Sequence, residues 1–243
     1  MDIGSERAPE GALLPLEEGR PRGASPWSTG TSSEEGAVVP SRLATSPGSR
    51  ATKRTFDIAA ALVLIILTLP LMMVIALAVK IESRGPVLFL QRRPGKGGTE
   101  FSLIKFRTME PGAEDRLDEL MARNEIRGPA FKVTDDPRLT RTGRVLRATS
   151  LDELPQIWNV LRDEMSLVGP RPPLPWEVDA YDPWHHRRLA VKPGITGLWQ
   201  VQARQGEDFD QRVELDLEYI DRWSMGLDLE IIARTIPAMF KGR

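Results

Sequence analysis

Cysteine is absent from the 243 residues, so the chain forms no disulfide, no thiolate metal site and no cysteine nucleophile. That fits a reducing compartment. Histidine is nearly absent too: only His185 and His186 occur, adjacent residues rarely face one ion, and no partner stands at ligand spacing. The pair reads as surface or interfacial. No basic stretch followed by an apolar run opens the chain, which argues against a cleavable export signal. No internal repeat is visible. Only one apolar run is long enough to cross a bilayer, which counts against the enzymes that need several spans. A formal net charge of -1 hides an asymmetry: Arg84, Arg92, Arg93, Lys96, Lys105 and Arg107 form a basic stretch after the apolar run, suited to phospholipid headgroups or phosphates or else a solvated face, while Glu207 to Glu230 is mostly acidic; no nucleic-acid partner is expected.

What is present divides into three stretches. Residues 1–50 are rich in Gly, Pro, Ser and Glu without sustained periodicity, and read as a disordered tail; the short run Ala12-Leu13-Leu14 is its one candidate for docking. Residues 51–84 contain the apolar run Ile58 to Val79, long enough for a helix to cross a hydrocarbon core. Its flanks are basic on both sides, Lys53 and Arg54 before and Lys80 and Arg84 after, where a simple span shows a bias toward one end. Pro70 near its middle removes a backbone donor and predicts a kink or break. A re-entrant helix, entering and returning on one side, satisfies both basic ends. A kinked transmembrane helix and a buried core helix are the competing readings.

Residues 85–243 read as a cytoplasmic catalytic domain of α+β class, mainly helical. Val87 to Gln91 and Glu100 to Phe106, separated by the turn-rich Pro94-Gly95-Lys96-Gly97-Gly98, predict a β-hairpin. Helical spacing predicts helices over Glu114 to Ile126, Phe209 to Trp223 and Leu227 to Phe240. The last is either a core helix or an amphipathic interfacial one. Asp135-Asp136-Pro137 reads as a loop turn. Arg138, Arg141, Arg144 and Arg147 recur every third residue, which puts several guanidinium groups on one side of a helix or turn. Some of Trp158, Trp176, Trp184, Trp199 and Trp223 are candidate headgroup-level anchors, with buried packing the default for most.

The stretch Ser150 to Leu161 carries the chemistry. Pro155 is comfortable only in the first turn of a helix, which places a helix start near Ser150 to Asp152. Two readings stay open for Asp152 and Glu153. Ser150 with Glu153 spells a capping box. Alternatively, the positive helix end keeps Asp152 ionised and attracts phosphate, as a carboxylate nucleophile requires.

Around that stretch stand Lys53-Arg54-Thr55-Phe56-Asp57, Gly85-Pro86-Val87, Gln91-Arg92-Arg93-Pro94-Gly95, Lys105-Phe106-Arg107-Thr108-Met109, Ser166-Leu167-Val168-Gly169-Pro170-Arg171-Pro172 and Lys192-Pro193-Gly194-Ile195-Thr196-Gly197-Leu198-Trp199-Gln200. In this order they resemble the bacterial sugar transferases, the monotopic phosphoglycosyl transferases of the inner membrane. The resemblance implies transfer of a sugar 1-phosphate from a UDP-sugar to undecaprenyl phosphate, with release of UMP, on the cytoplasmic face. It implies Asp152 as nucleophile, Glu153 as the group that helps deprotonate the acceptor, and Mg²⁺ near Asp152. Lys105, Arg107, Arg147 and Arg171 stand at the family's basic positions and are expected to contact phosphates, with Arg204 a weaker candidate. Lys105 and Arg107, two apart on a strand, are expected to face one side. Two departures are visible: Pro70 follows Leu69 and Thr68 where many members have a Ser-Pro pair, and Ala203 precedes Arg204 where Gly is usual. The rival readings are a different membrane phosphotransferase and a non-catalytic, membrane-tethered binding module.

Overall fold

The computed structural model describes residues 46–240, apart from 126, 127, 132, 134 and 203–207. Most of the expected tail, Ala12 to Leu14 included, lies outside the described residues. Its last residues do not: the first helix, α1, already begins at Pro47 and runs to Glu82. Pro47 is comfortable there because the first turn of a helix leaves its N–H groups unpaired, and the Ser46 hydroxyl accepts from the Ser49 N–H.

Helix α1 is attached to the rest of the molecule near both ends. At its start, Lys53, Asp57 and Ala61 are buried against the main core; toward its end, Ile75 and Val79 are buried against Phe106 and Leu146. Between them Leu62, Val63, Ile66, Leu67, Leu69, Met73 and Val74 are exposed. This exposure removes the buried-core-helix reading, because a contiguous apolar surface of this kind marks a membrane or partner contact. Pro70 sits inside the helix, where its ring leaves the Ile66 carbonyl without its usual donor. The Thr68 hydroxyl bonds one turn back to the Leu64 carbonyl at 2.7 Å and does not replace that donor.

Strands β1 (Leu88–Pro94) and β2 (Glu100–Phe106) form the expected antiparallel hairpin, with Phe89 opposite Lys105 and Arg93 opposite Phe101. The first strand extends three residues beyond the expected end, through Pro94. The helix expected over Glu114 to Ile126 is shorter: a 3-10 turn (Ala113–Arg116) leads into α2 (Leu117–Met121), and Ile126 lies outside the described residues. Helix α3 (Arg141–Thr149) is followed by a 3-10 segment (Leu151–Gln156) and α4 (Ile157–Leu161). The Glu82 carboxylate closes the start of α3, accepting from the Arg141 and Thr142 N–H groups at 2.7 and 2.8 Å. The end of α1 is thereby tied to the start of α3.

The remaining elements build the main core. Strands β3 (Ser166–Val168) and β4 (Gly194–Thr196) pair in parallel. Between them lie α5 (Pro175–Asp179) and a 3-10 stretch (Pro183–Ala190), and after them α6 (Leu198–Gln202), α7 (Phe209–Arg222) and α8 (Met225–Phe240). The stripe Phe209, Val213, Leu217 and Ile220 is buried as its spacing requires. Helix α8 buries Asp228 and Ile231 while Leu229 and Ile236 remain exposed, so it is a core helix with a partly apolar outer face.

A polar cluster joins α1 to this core. The Asp228 carboxylate, fully buried, accepts from Lys53 Nζ at 2.6 Å, the Tyr219 hydroxyl at 2.8 Å and Trp223 Nε1 at 3.2 Å. Asp57 accepts from the Ser166 hydroxyl at 2.7 Å and the Leu167 N–H at 3.2 Å. Removing one partner of a buried ion pair leaves the other charge uncompensated, at a cost of roughly 3–5 kcal/mol. We therefore expect Asp228→Asn to lower the unfolding midpoint in detergent, followed by tryptophan fluorescence, and the double variant Asp228→Asn with Lys53→Met to recover part of the loss. Equal damage in single and double variants would show that the pairing of Lys53 with Asp228 is not what stabilises the joint.

Candidate active site

Asp152 and Glu153 lie on the 3-10 segment, which packs on β2 on one side. On the other, Leu151 and Leu154 rest on the cluster formed by Ile75 and Val79 of α1 with Phe106 and Leu146. The acid pair is thus held between the hairpin and the apolar helix. Asp152 is buried, 6% exposed.

The expected capping box does not form. Ser150 has φ 57 and ψ 18, the left-handed conformation that ends α3, and its N–H bonds back to the Leu146 and Arg147 carbonyls. An N-cap needs extended backbone to aim its hydroxyl into the next turn, so Ser150 makes no side-chain capping bond. Glu153 points elsewhere, accepting from Arg171 Nη1 at 3.2 Å. The helix start is also a six-residue 3-10 turn, whose few aligned peptides supply little dipole. The positive charge beside the acid pair comes instead from side chains.

Of the expected basic residues, Lys105, Arg147 and Arg171 converge on the acid pair. Burial works against the charge on Lys105 and Arg147, and the Asp152 carboxylate opposes it; Arg171, exposed, is favoured as a cation chiefly by Glu153 and less by Asp152. Arg147 donates from Nε to the Thr108 hydroxyl at 3.1 Å. Burial, followed by the like charges of Arg93 and Arg147, pushes the Lys105 amine down from 10.5 to about 7.

Arg107 is placed differently. It lies past the end of β2, and its guanidinium donates to the Ser83 and Arg84 carbonyls and the Ser83 hydroxyl at 2.8–3.0 Å. It closes the end of α1 and does not share a face with Lys105. Gly85 makes room for it, since a Cβ there would stand 2.2 Å from Arg107 Nη1. Arg204 lies outside the described residues. Arg138 is also consumed, held in a buried ion pair at 2.7 Å with Asp136, while Arg141 and Arg144 are exposed. Only Arg147 of that series reaches the site.

Arg93, legible in the sequence only as part of the basic stretch after the apolar run, is a further residue of the site. It is 6% exposed, donates to the Pro172 carbonyl at 3.0 Å, and shares the Gln91 Oε1 acceptor with Lys105. Burial first, then the charge of Arg171, pulls its guanidinium down to about 10. The available signal was the strand alternation that puts Gln91, Arg93 and Lys105 on one hairpin face.

Arg171 is aimed by backbone packing. The Gly169 N–H bonds to the Thr196 carbonyl at 2.9 Å and the Gly194 N–H to the Pro170 carbonyl at 2.8 Å. A Cβ on Gly194 would lie 2.1 Å from the Gly169 nitrogen, so the two motifs meet main chain to main chain. Beneath them Arg188, ion-paired with Asp216 at 2.7 Å, donates to the Arg171 carbonyl and the Tyr181 hydroxyl. His185 is likewise part of the support and not of the surface: buried, it accepts from the Asp182 N–H at Nδ1 and faces Asp210 at Nε2. Trp158, Trp176 and Trp184 are partly exposed, whereas Trp199 and Trp223 are buried.

Among the described residues no three His, Asp or Glu side chains converge as a metal cage. The donor set beside the cations is the Asp152 and Glu153 carboxylates. That suits a hard cation held by one or two carboxylates and completed by substrate phosphates, as Mg²⁺ commonly is.

A family model described as bacterial sugar transferase matches residues 48–242. The exopolysaccharide production protein ExoY of Rhizobium meliloti is 41% identical over 195 residues, 79% of this chain and 86% of the relative. The UDP-glucose:undecaprenyl-phosphate glucose-1-phosphate transferase of Caulobacter vibrioides is 45% identical over 195 residues, 77% of this chain and 69% of the relative. The galactosyl transferase CpsE of Streptococcus agalactiae is 46% identical over 159 residues, 65% of this chain but 35% of the relative, so the chain spans about a third of that protein's length.

The lowered Lys105 amine has a signed consequence. Between about 7 and 10.5 the unfolded chain binds a proton at this position that the folded chain does not, so this group makes stability rise with pH across that window. Isotope-labelled methylation of the lysines followed by NMR is expected to show one amine titrating near 7, absent in Lys105→Gln. In Arg93→Gln its midpoint should move up, because a like charge has been removed. A midpoint unmoved by Arg93→Gln would rule out the proposed coupling.

Proposed function

The chain belongs to the bacterial sugar transferase family, and from that footing we propose that it moves a sugar 1-phosphate from a UDP-sugar to undecaprenyl phosphate, starting a surface polysaccharide or glycoconjugate. The reading is carried by one observation: a buried carboxylate and its neighbour sit among Lys105, Arg93, Arg147 and Arg171, on a segment seated against the apolar helix. Two phosphate substrates and a carboxylate repel one another, and only a cluster of fixed cations lets them meet.

In the proposed reaction an Asp152 carboxylate oxygen attacks the sugar-bearing phosphorus of the donor. The bond from that phosphorus to the bridging oxygen breaks, and UMP leaves with the electron pair. The sugar phosphate is then held on Asp152 as an acyl phosphate. Glu153, kept in place by Arg171, takes the proton of the lipid phosphate. An oxygen of that phosphate attacks the same phosphorus, frees Asp152 and completes the lipid diphosphate sugar. Lys105, Arg93 and Arg147 bind and orient the phosphates. Mg²⁺, held by Asp152 with Glu153 nearby and by the donor diphosphate, would supply further neutralisation of charge.

For the membrane, the proposed arrangement is a re-entrant α1 in the inner membrane, with residues 85–243 as the catalytic domain on the cytoplasmic face. It is supported by the packing of both flanks of α1 on one polar body while the middle stays exposed. A spanning helix would have to carry one of those flanks to the far side.

Asp152→Asn should abolish UMP release from a panel of UDP-sugars supplied with undecaprenyl phosphate and Mg²⁺, a loss on the order of 10³-fold or more. Glu153→Gln should still release a single equivalent of UMP without steady turnover. Binding of UDP-sugar with no UMP from the unmodified chain would instead make it a tethered binding module. For topology, single cysteines at Thr52 and Ile81 are clean reporters in a chain without native cysteine. Both are expected to react with an impermeant thiol reagent only after the cytoplasmic side is opened; labelling from opposite sides would establish a through-membrane helix.

A further inference from the structure

A second cationic site stands apart from Asp152. Where the start of α1 meets the hairpin turn and β3, a cavity of about 120 Å³ is lined by Arg50, Lys53, Arg54, Lys96 and Lys192, with Asp57 as its one acidic wall. It shares no lining residue with the candidate active site. By the ~10–15 Å³ that a single water requires, the cavity has room for an anion and several waters.

The charges in and around it do not balance. Lys53 is closed on Asp228 at 2.6 Å, with Asp57 at 4.0 Å. Arg54 and Lys192 share a single carboxylate, Asp163, at 2.8 and 2.5 Å. Arg50 and Lys96, both exposed, have no ion-pair partner among the described residues. Three carboxylates therefore face five cations, which leaves two positive charges for a ligand.

Position decides the kind of anion. Lys53 and Arg54 stand about one turn before Ile58, where the apolar run begins, and the exposed Leu62 and Ile66 follow on the same helix. In the proposed membrane placement the cavity lies at headgroup depth, where a lipid phosphate has its acyl chains already aligned with an apolar surface. We propose that this cavity binds the phosphate of an anionic membrane phospholipid, fixing the start of α1 at the interface. The proposal rests on the membrane placement above and not on the transferase chemistry.

The test is native mass spectrometry of the full chain in detergent, titrated with phosphatidylglycerol or phosphatidylcholine. One phosphatidylglycerol should be retained in preference to phosphatidylcholine. The Arg50→Gln and Lys96→Gln double variant should bind it about tenfold more weakly, and Asp152→Asn should bind it as the unmodified chain does. Equal retention of the two lipids, or an unchanged affinity in the double variant, overturns the proposal. So does displacement by millimolar inorganic phosphate, which would mark a free-phosphate site. Undecaprenyl phosphate retained more tightly than phosphatidylglycerol, with the preference lost in the double variant, would overturn it in favour of an acceptor site. If both reporter cysteines place α1 across the membrane while phosphatidylglycerol still binds through Arg50 and Lys96, the membrane placement fails and the lipid site stands.

Discussion

The buried Asp228 carboxylate is the point on which the architecture turns. A charge with no solvent contact survives only if its lone pairs are satisfied, and Lys53, Tyr219 and Trp223 do this from α1, α7 and the link before α8. The orientation of the apolar helix relative to the core is therefore set by a polar contact, which has few equivalent geometries. A purely greasy contact would let α1 slide. With its start held there and its end held by Glu82 on α3 and by Arg107 on Ser83 and Arg84, the exposed middle of α1 is presented to its surroundings in one way.

That rigidity reaches the candidate chemistry through short paths. The segment bearing Asp152 and Glu153 rests on Ile75 and Val79, so the acids are registered to the long apolar helix. Arg171 arrives from the opposite direction, on a chain segment locked to β4 by glycines that leave no room for a Cβ. Arg188 and Asp216 hold it from below; the pull of burial raises the Asp216 carboxyl to about 6 although Arg188 opposes the shift. An acid pair and a cation cluster drawn from separate elements converge because each element is fixed independently.

Much of this was legible in linear order, and the misreadings have definite causes. The stripe of α7, the hairpin and the single apolar run followed from periodicity and length, which depend on neighbours within one element. Arg107 and Lys105 looked alike as strand residues, but the strand ends at Phe106 and the next side chain turns to the carbonyls at the end of α1. Ser150 and Glu153 matched a capping box by spacing, yet the close succession of α3 and the 3-10 segment forces Ser150 into the left-handed region. His185 looked like a surface residue because nothing in its own stretch announces the ring packing with Tyr181 and Phe209.

By itself the sequence determined most element types, the apolar run with its two basic ends, the hairpin, and the motifs that identify the family. Only the tertiary structure decided which cations reach Asp152 and which are used up in holding the fold. The reason is distance along the chain: Arg171 meets Glu153 across 18 residues, Arg107 meets Ser83 across 24, and Lys53 meets Asp228 across 175. Local patterning has no information at such separations, where packing and the demand that every buried charge be paired select the partners.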